Sequence, residues 1–173
     1  KLSVPFAIAD ATTLTEAGYV GEDVESMLER LLNMCDWNLE LAQKGMVFID
    51  EIDKKARKGE SNTGTKDISG QGVQQALLRL IEGTVVKVSS NGSKRMDQYV
   101  EFDTTNVLFI CSGAFVGLEK QVNTKANKKN IGFNKQLKKP VKKDTWQHKV
   151  EHDDLISYGL IPELVGRLPK IVP

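Results

Sequence analysis

"GMVFIDEIDK", residues 45–54, decides the fold. Gly45 interrupts a helical pattern, an apolar run follows, and two acids, Asp50 and Glu51, end it. A run that is apolar on both faces is expected for a central strand of a parallel sheet covered by helices on both sides. The sudden charge sets the acids at the strand's carboxyl end, where open α/β sheets bind ligands. Asp50, held by a stiff buried strand, suits binding Mg²⁺ while the metal also grips phosphate oxygens. Glu51, one residue on, suits polarising a water that attacks a terminal phosphate. The plainer alternative is a helix start whose acids favour the dipole. The unbroken apolar-to-DE pattern, with Asp53 close behind, favours a Walker B strand.

Such a strand needs neighbours, and the flanking sequence supplies them. "VPFAI" (4–8) and "NVLFIC" (106–111) are further apolar runs of strand length. Val24, Met27, Leu28, Leu31, Leu32 and Cys35 fall on one face of a helix, with Glu22 and Asp23 at its start. Residues 58–72 are polar and glycine-rich, which predicts a mobile loop. Val73, Ala76, Leu77, Leu80 and Ile81 predict a second amphipathic helix, ended by Gly83. "TVVKV" and "QYVEF" alternate around Asn91-Gly92 and predict a hairpin with a long basic tip. The end of the chain, "DDLISYGLIPELVGRLPKIVP", predicts helix, turn, helix start and strand. Strands alternating with helices mean α/β architecture, a parallel sheet flanked by helices, with a β-hairpin insertion.

The whole chain has 173 residues, enough for one domain with a real core, and 27% of them are charged. Its net charge of +1 hides a polarity: residues 119–149 carry a net +8 and the remainder −7. Residues 123–149 predict a flexible basic loop. Interleaved aromatics and a structured basic face are lacking, so nucleic acid is not the expected partner. Cys35 and Cys111 sit on different elements and are expected to be small buried hydrophobes. His148 and His152 share a helical spacing without further ligands, which argues against a zinc site. No apolar run reaches the length of a membrane span.

A Walker B strand works with a phosphate loop, G-x-x-x-x-G-K-[ST]. No lysine in the chain precedes Ser or Thr, so that loop does not occur. In this fold class it precedes the strand that carries "VPFAI". The chain begins at Lys1 without a methionine and is expected to be a fragment starting after it.

"DATTLTEAGYVGEDVE", "GMVFIDEIDK", "GVQQALLRLIEGT", "LFICSGAF" and "GLIPELVGRLP" resemble the ClpX family of AAA+ protein unfoldases, which feed the ClpP peptidase. The likeness runs over nearly the whole chain in the expected order. It implies the large AAA+ subdomain of a P-loop NTPase. The phosphate loop, the N-terminal zinc-binding domain and the small C-terminal subdomain would be absent from residues 1–173. It implies ATP and Mg²⁺ as cofactors, a homohexameric ring, a ClpP-type peptidase as partner and unfolded or tagged proteins as substrates. The expected location is bacterial cytoplasm or an organelle matrix. Neither membrane nor nucleic acid is an expected partner.

The resemblance also implies roles residue by residue. Gly18, Tyr19, Val20 and Gly21 match a pore loop that grips substrate, and residues 65–72, with Ser69 and Gly70, match a second one. Asp50 and Glu51 match Walker B, and Ser112 lies where sensor 1 is placed. Arg167 matches the arginine finger, whose guanidinium stabilises charge on a neighbouring subunit's phosphate. The alternative for Arg167 is a salt bridge at a helix end. Ile131, Gly132 and Phe133 match the tripeptide that docks into the peptidase. Lys94 and Arg95 lie on the hairpin at the pore entrance, which here lacks the histidine of the family's Arg-Lys-His cluster. The related HslU unfoldases share a "GYVG" loop but lack the Ile-Gly-Phe segment and carry an inserted domain. A second alternative is a fragment or adaptor that binds the peptidase without hydrolysing ATP.

Overall fold

The computed structural model describes residues 4–15, 21–56, 68–89, 99–128 and 150–172. Its centre is the strand of the opening motif. β4 (Met46–Asp50) lies between β1 (Phe6–Asp10) and β7 (Leu108–Cys111), parallel to both. The register sets Ala9 beside Ile49 and Ile49 beside Cys111, so the three strands end together. Asp10 and Asp50 are direct neighbours at that end.

One face of this sheet is buried. Ala7, Ala9, Val47 and Ile49 alternate inward along β1 and β4, as period-2 geometry requires. Helix α1 (Ser26–Asn33) packs there through Met27, Leu28, Leu31 and Leu32, all fully buried. Truncating one of these leucines to alanine costs about 2–5 kcal/mol in a core that cannot collapse around the gap. A four-residue helix, α2 (Leu39–Ala42), capped by the Asn38 side chain, then leads into β4.

The other face is bare among the described residues. Phe6, Ile8, Leu108 and Ile110 are exposed there, flanking Phe48 of β4. The parallel sheet flanked by helices is as expected, and among the described residues α1 covers one of its faces. Apolar character on both sides of a strand records what the strand can bury, and among the described residues one side is covered.

Helix α3 (Ile68–Ile81) corrects one expectation. Residues 68–72 are its first turns, although Ser69, Gly70 and Gly72 are poor helix formers. The gain is close packing: a Cβ on Gly70 would lie 2.8 Å from the Lys55 carbonyl oxygen, so only glycine lets the helix approach there. Glu22 and Asp23 do not start α1. They form β3, a two-residue strand paired in parallel with β2 (Leu14–Thr15).

The hairpin forms as expected, β5 (Val85–Ser89) antiparallel to β6 (Tyr99–Asp103). Helix α4 runs Leu118–Lys128, so the first residues of the supposed basic loop at 123–149 are helical. Helix α5 (His152–Tyr158) begins with a capping box made by Glu151 and Asp154. Gly159 ends α5 at φ 126, and α6 (Pro162–Arg167) follows with proline in its first turn. Residues 168–172 form no strand. No helix of the described residues is long and apolar enough to cross a membrane.

Candidate functional site

The acids of the opening motif sit on a fixed turn. Asp50 ends β4, and its carbonyl accepts the Ala11 amide at 2.8 Å. Glu51 then adopts a left-handed backbone, φ 55 and ψ 33, which costs a non-glycine residue about 1–2 kcal/mol. Local bonds hold it: the Glu51 amide donates to Asp50 Oδ1 at 2.9 Å, and the Lys54 amide donates to the Glu51 carbonyl at 3.0 Å. A 3-10 turn, Ile52–Lys55, completes the corner. Both Asp50 and Glu51 are exposed, so each carboxylate is open to a ligand beyond the sheet edge.

Ser112 is tied to the same corner. Its amide donates to the Ile49 carbonyl at 2.8 Å, and its own carbonyl accepts the Ile52 amide at 2.9 Å. These bonds clamp the strand end of β4 to that of β7 on both sides of Asp50-Glu51. Cys111, one residue earlier, is desolvated, and burial pushes its thiol up to about 12. It stays protonated at neutral pH, but the side chain is half-buried rather than buried as expected, whereas Cys35 is buried.

Two further acids belong to the corner: Asp10, which the sequence reading missed, and Asp53, which it noted only as one more acid. Asp10 stands beside Asp50 in register, and its Oδ1 accepts the Thr12 hydroxyl at 2.6 Å and the Thr12 amide at 2.8 Å. These bonds favour the carboxylate and hold its pKa below the ordinary aspartate value. The signal was present, because "FAIAD" ends in an acid just as "MVFID" does. Asp53, on the 3-10 turn, is buried, and its Oδ1 has no hydrogen-bond partner among the described residues. A Cβ on Gly113 would lie 2.5 Å from that oxygen, so glycine is required where the β7 loop passes it.

Among the described residues, no three His, Cys, Asp or Glu side chains gather as metal ligands. A cage made wholly of protein ligands is therefore not what the corner fits. A strand-end carboxylate fits Mg²⁺ as it is held beside nucleotides, by one or two carboxylates with phosphate oxygens and waters. Asp50, exposed at the end of β4, could supply such a carboxylate.

Arg167 ends α6, away from this corner. Its guanidinium pairs with Glu82 just past the end of α3, with Nε at 2.9 Å and a terminal nitrogen at 2.8 Å from the same oxygen. Both side chains are largely exposed, so the pair contributes at most about 1 kcal/mol. Gly70, at the opposite end of α3, touches Lys55 of the acidic turn. Twelve residues of helix separate these levels, roughly 18 Å at 1.5 Å per residue.

Of the other expected site residues, Gly18, Tyr19, Val20, Lys94, Arg95, Ile131, Gly132 and Phe133 lie outside the described residues. Gly21 is described: it closes the stem of the 16–20 segment against Thr15, where a Cβ would meet the threonine methyl at 2.2 Å. Ser69 lies in α3, and Gly70 is buried within it rather than exposed on a loop. His152 has a ring nitrogen 3.2 Å from the Leu168 carbonyl oxygen.

The comparisons with known proteins agree with this architecture. The chain is 52% identical over 173 residues to a Treponema denticola protein named ATP-dependent Clp protease ATP-binding subunit ClpX. A protein of the same name from Borrelia duttonii is 49% identical over 171 residues. Each alignment takes in 98% of this chain but only 42% and 40% of the relative, so the chain spans about two fifths of their length. The AAA domain (Cdc48 subfamily) family profile matches residues 1–171, and the chain belongs to that family.

Proposed function

We propose that this chain is the large AAA+ subdomain segment of a ClpX-type unfoldase, which hydrolyses ATP in a hexameric ring and threads proteins into a ClpP-type peptidase. The observation that carries it is the Asp50-Glu51 corner, fixed at the end of a central parallel strand and clamped to Ser112. The names of the relatives, ATP-binding subunits of a Clp protease, support the same reading. ATP would lie beyond the strand ends, its phosphates cradled by a loop outside these 173 residues. Mg²⁺, when bound through Asp50, would neutralise phosphate charge. Glu51 would take the proton of the attacking water, and Ser112 would stand beside it as the sensor of the phosphate.

The separation along α3 supports a role for Arg167 in trans. A guanidinium roughly 18 Å along the helix from the acidic turn is ill placed for its own site, and its exposed pair with Glu82 would be exchanged for a neighbour's phosphate. Tyr19 and Val20 would grip the polypeptide in the pore, Lys94 and Arg95 would meet acidic ends of substrates, and Ile131–Phe133 would dock into the peptidase.

The test is Glu51→Gln in the full-length protein that carries this segment. Loss of the base should cut ATP hydrolysis about 100-fold or more while nucleotide still binds. Hydrolysis at the wild-type rate would remove Glu51, and with it the Walker B assignment.

A further inference from the structure

We propose that Gln74 is a positioning residue that couples the Asp50-Glu51 turn of one subunit to the Arg167 it offers its neighbour. Gln74 lies on the buried face of α3 between Val73 and Leu77 and is 0% exposed. A buried amide is costly unless its groups are paired, and this one is paired to two distant segments. Its Nε2 donates to the Lys55 carbonyl at 2.7 Å, at the end of the turn that follows Glu51. The same nitrogen reaches the Gly159 carbonyl at 3.5 Å. Its Oε1 accepts the Ile161 amide at 2.7 Å.

Ile161 is the N-cap of α6, and Arg167 is the last residue of that helix. One side chain thus touches the acidic turn with one end of its amide and the base of the arginine helix with the other. Gly70, one turn earlier on α3, presses against the same Lys55 carbonyl without room for a methyl group. At the far end of α3, Glu82 holds Arg167 itself. α6 is therefore fixed to α3 at both ends, and the fixed point at its start is shared with the hydrolytic turn. A shift of that turn as phosphate leaves has a direct path to α6. A packed core transmits such a shift because it does not deform smoothly.

This inference rests on reading Arg167 as acting in trans, and the experiment separates the two. In mixed rings of the full-length protein, Glu51→Gln subunits lack the base but keep the arginine, and Arg167→Ala subunits do the reverse. Mixing them should restore hydrolysis where the two are neighbours. Gln74→Met, close to isosteric, is then added to the Glu51→Gln subunit, whose own site is already silent. We expect hydrolysis by the mixture to fall at least fivefold, because only the donated arginine can be affected. Unchanged hydrolysis overturns the coupling.

If the unsubstituted pair fails to complement, the reading of Arg167 fails, and the coupling in trans fails with it. The bridge itself is decided separately by amide exchange on Gln74→Met, with Gln74→Glu as a second variant should the first not fold. The Ile161 amide should exchange at least tenfold faster while Val47 and Ile49 in β4 stay protected. An Ile161 amide as protected as in the wild type overturns the bridge.

Discussion

At the scale of single residues, the acidic corner depends on what surrounds it. The strand-end position of Asp50 and Glu51 was legible because a charged pair abruptly ends an apolar run. Asp53 was visible only as one more acid, and nothing in its neighbours foretold that it would be buried without a partner for Oδ1. The glycine that makes room for it, Gly113, lies on another strand's loop sixty residues away in sequence, beyond the reach of local pattern. Gly113→Ala should drive a methyl group into Asp53 Oδ1 and the Phe115 ring, which would lie 2.5 and 3.1 Å from it. Overpacking of this kind costs about 1–3 kcal/mol, to be read from urea unfolding. Asp53→Ala should relieve part of that cost, so the double variant should be more stable than the two single effects add up to. Strict additivity would show that the two residues do not press on each other.

At the scale of elements, period and turn chemistry found the three strands of the main sheet, the hairpin and the body of α1 and α3, because each has one face that must be buried, but they missed β2 and β3 and expected a strand after α6 that does not form. They failed where tertiary contact overrode local preference. Ser69-Gly70-Gln71-Gly72 has the composition of a loop, yet it is helix because α3 packs onto Lys55. Glu22-Asp23 has the composition of a helix start, yet it pairs with Leu14-Thr15, and Arg30 of α1 reaches back to the Glu22 carboxylate. That short parallel pairing closes the stem of residues 16–20. Gly21, at φ 153, fits against Thr15 only because it has no side chain. Gly21→Val should open the stem at a cost of about 1–3 kcal/mol in unfolding free energy. Under the proposed function it should also slow degradation of a folded substrate, since Tyr19 and Val20 would lose their fixed base. Wild-type stability in this variant would mean that the stem does not depend on the close approach.

At the scale of the whole molecule, three of the expected loops are flanked by elements that contact each other. The described residues flanking 16–20 are the paired strands β2 and β3, and those flanking 90–98 are the paired strands β5 and β6. Residues 129–149 lie between α4 and α5, which Lys125 joins through Glu151 at 2.6 Å and Asp154 at 3.2 Å. The sheet itself is less finished. Sequence could not reveal which face of β4 is the more exposed among the described residues, because Met46, Val47, Phe48 and Ile49 are all apolar. The structure leaves Ile8 58% and Leu108 53% exposed, in rows with Phe48, Ile110, Phe6 and Met46. An apolar patch of contiguous side chains this regular is unusual on a free surface and marks a place meant to be covered. The isolated chain should therefore bind a hydrophobic fluorescent dye in its folded state. Ile8→Lys with Leu108→Lys, one on each outer strand, should abolish most of that binding. Both positions already face water, so unfolding free energy should change by only about 0.5 kcal/mol at each. Dye binding that survives the double substitution would place the apolar surface elsewhere, and a large loss of stability would mean that these side chains are packed against the chain after all.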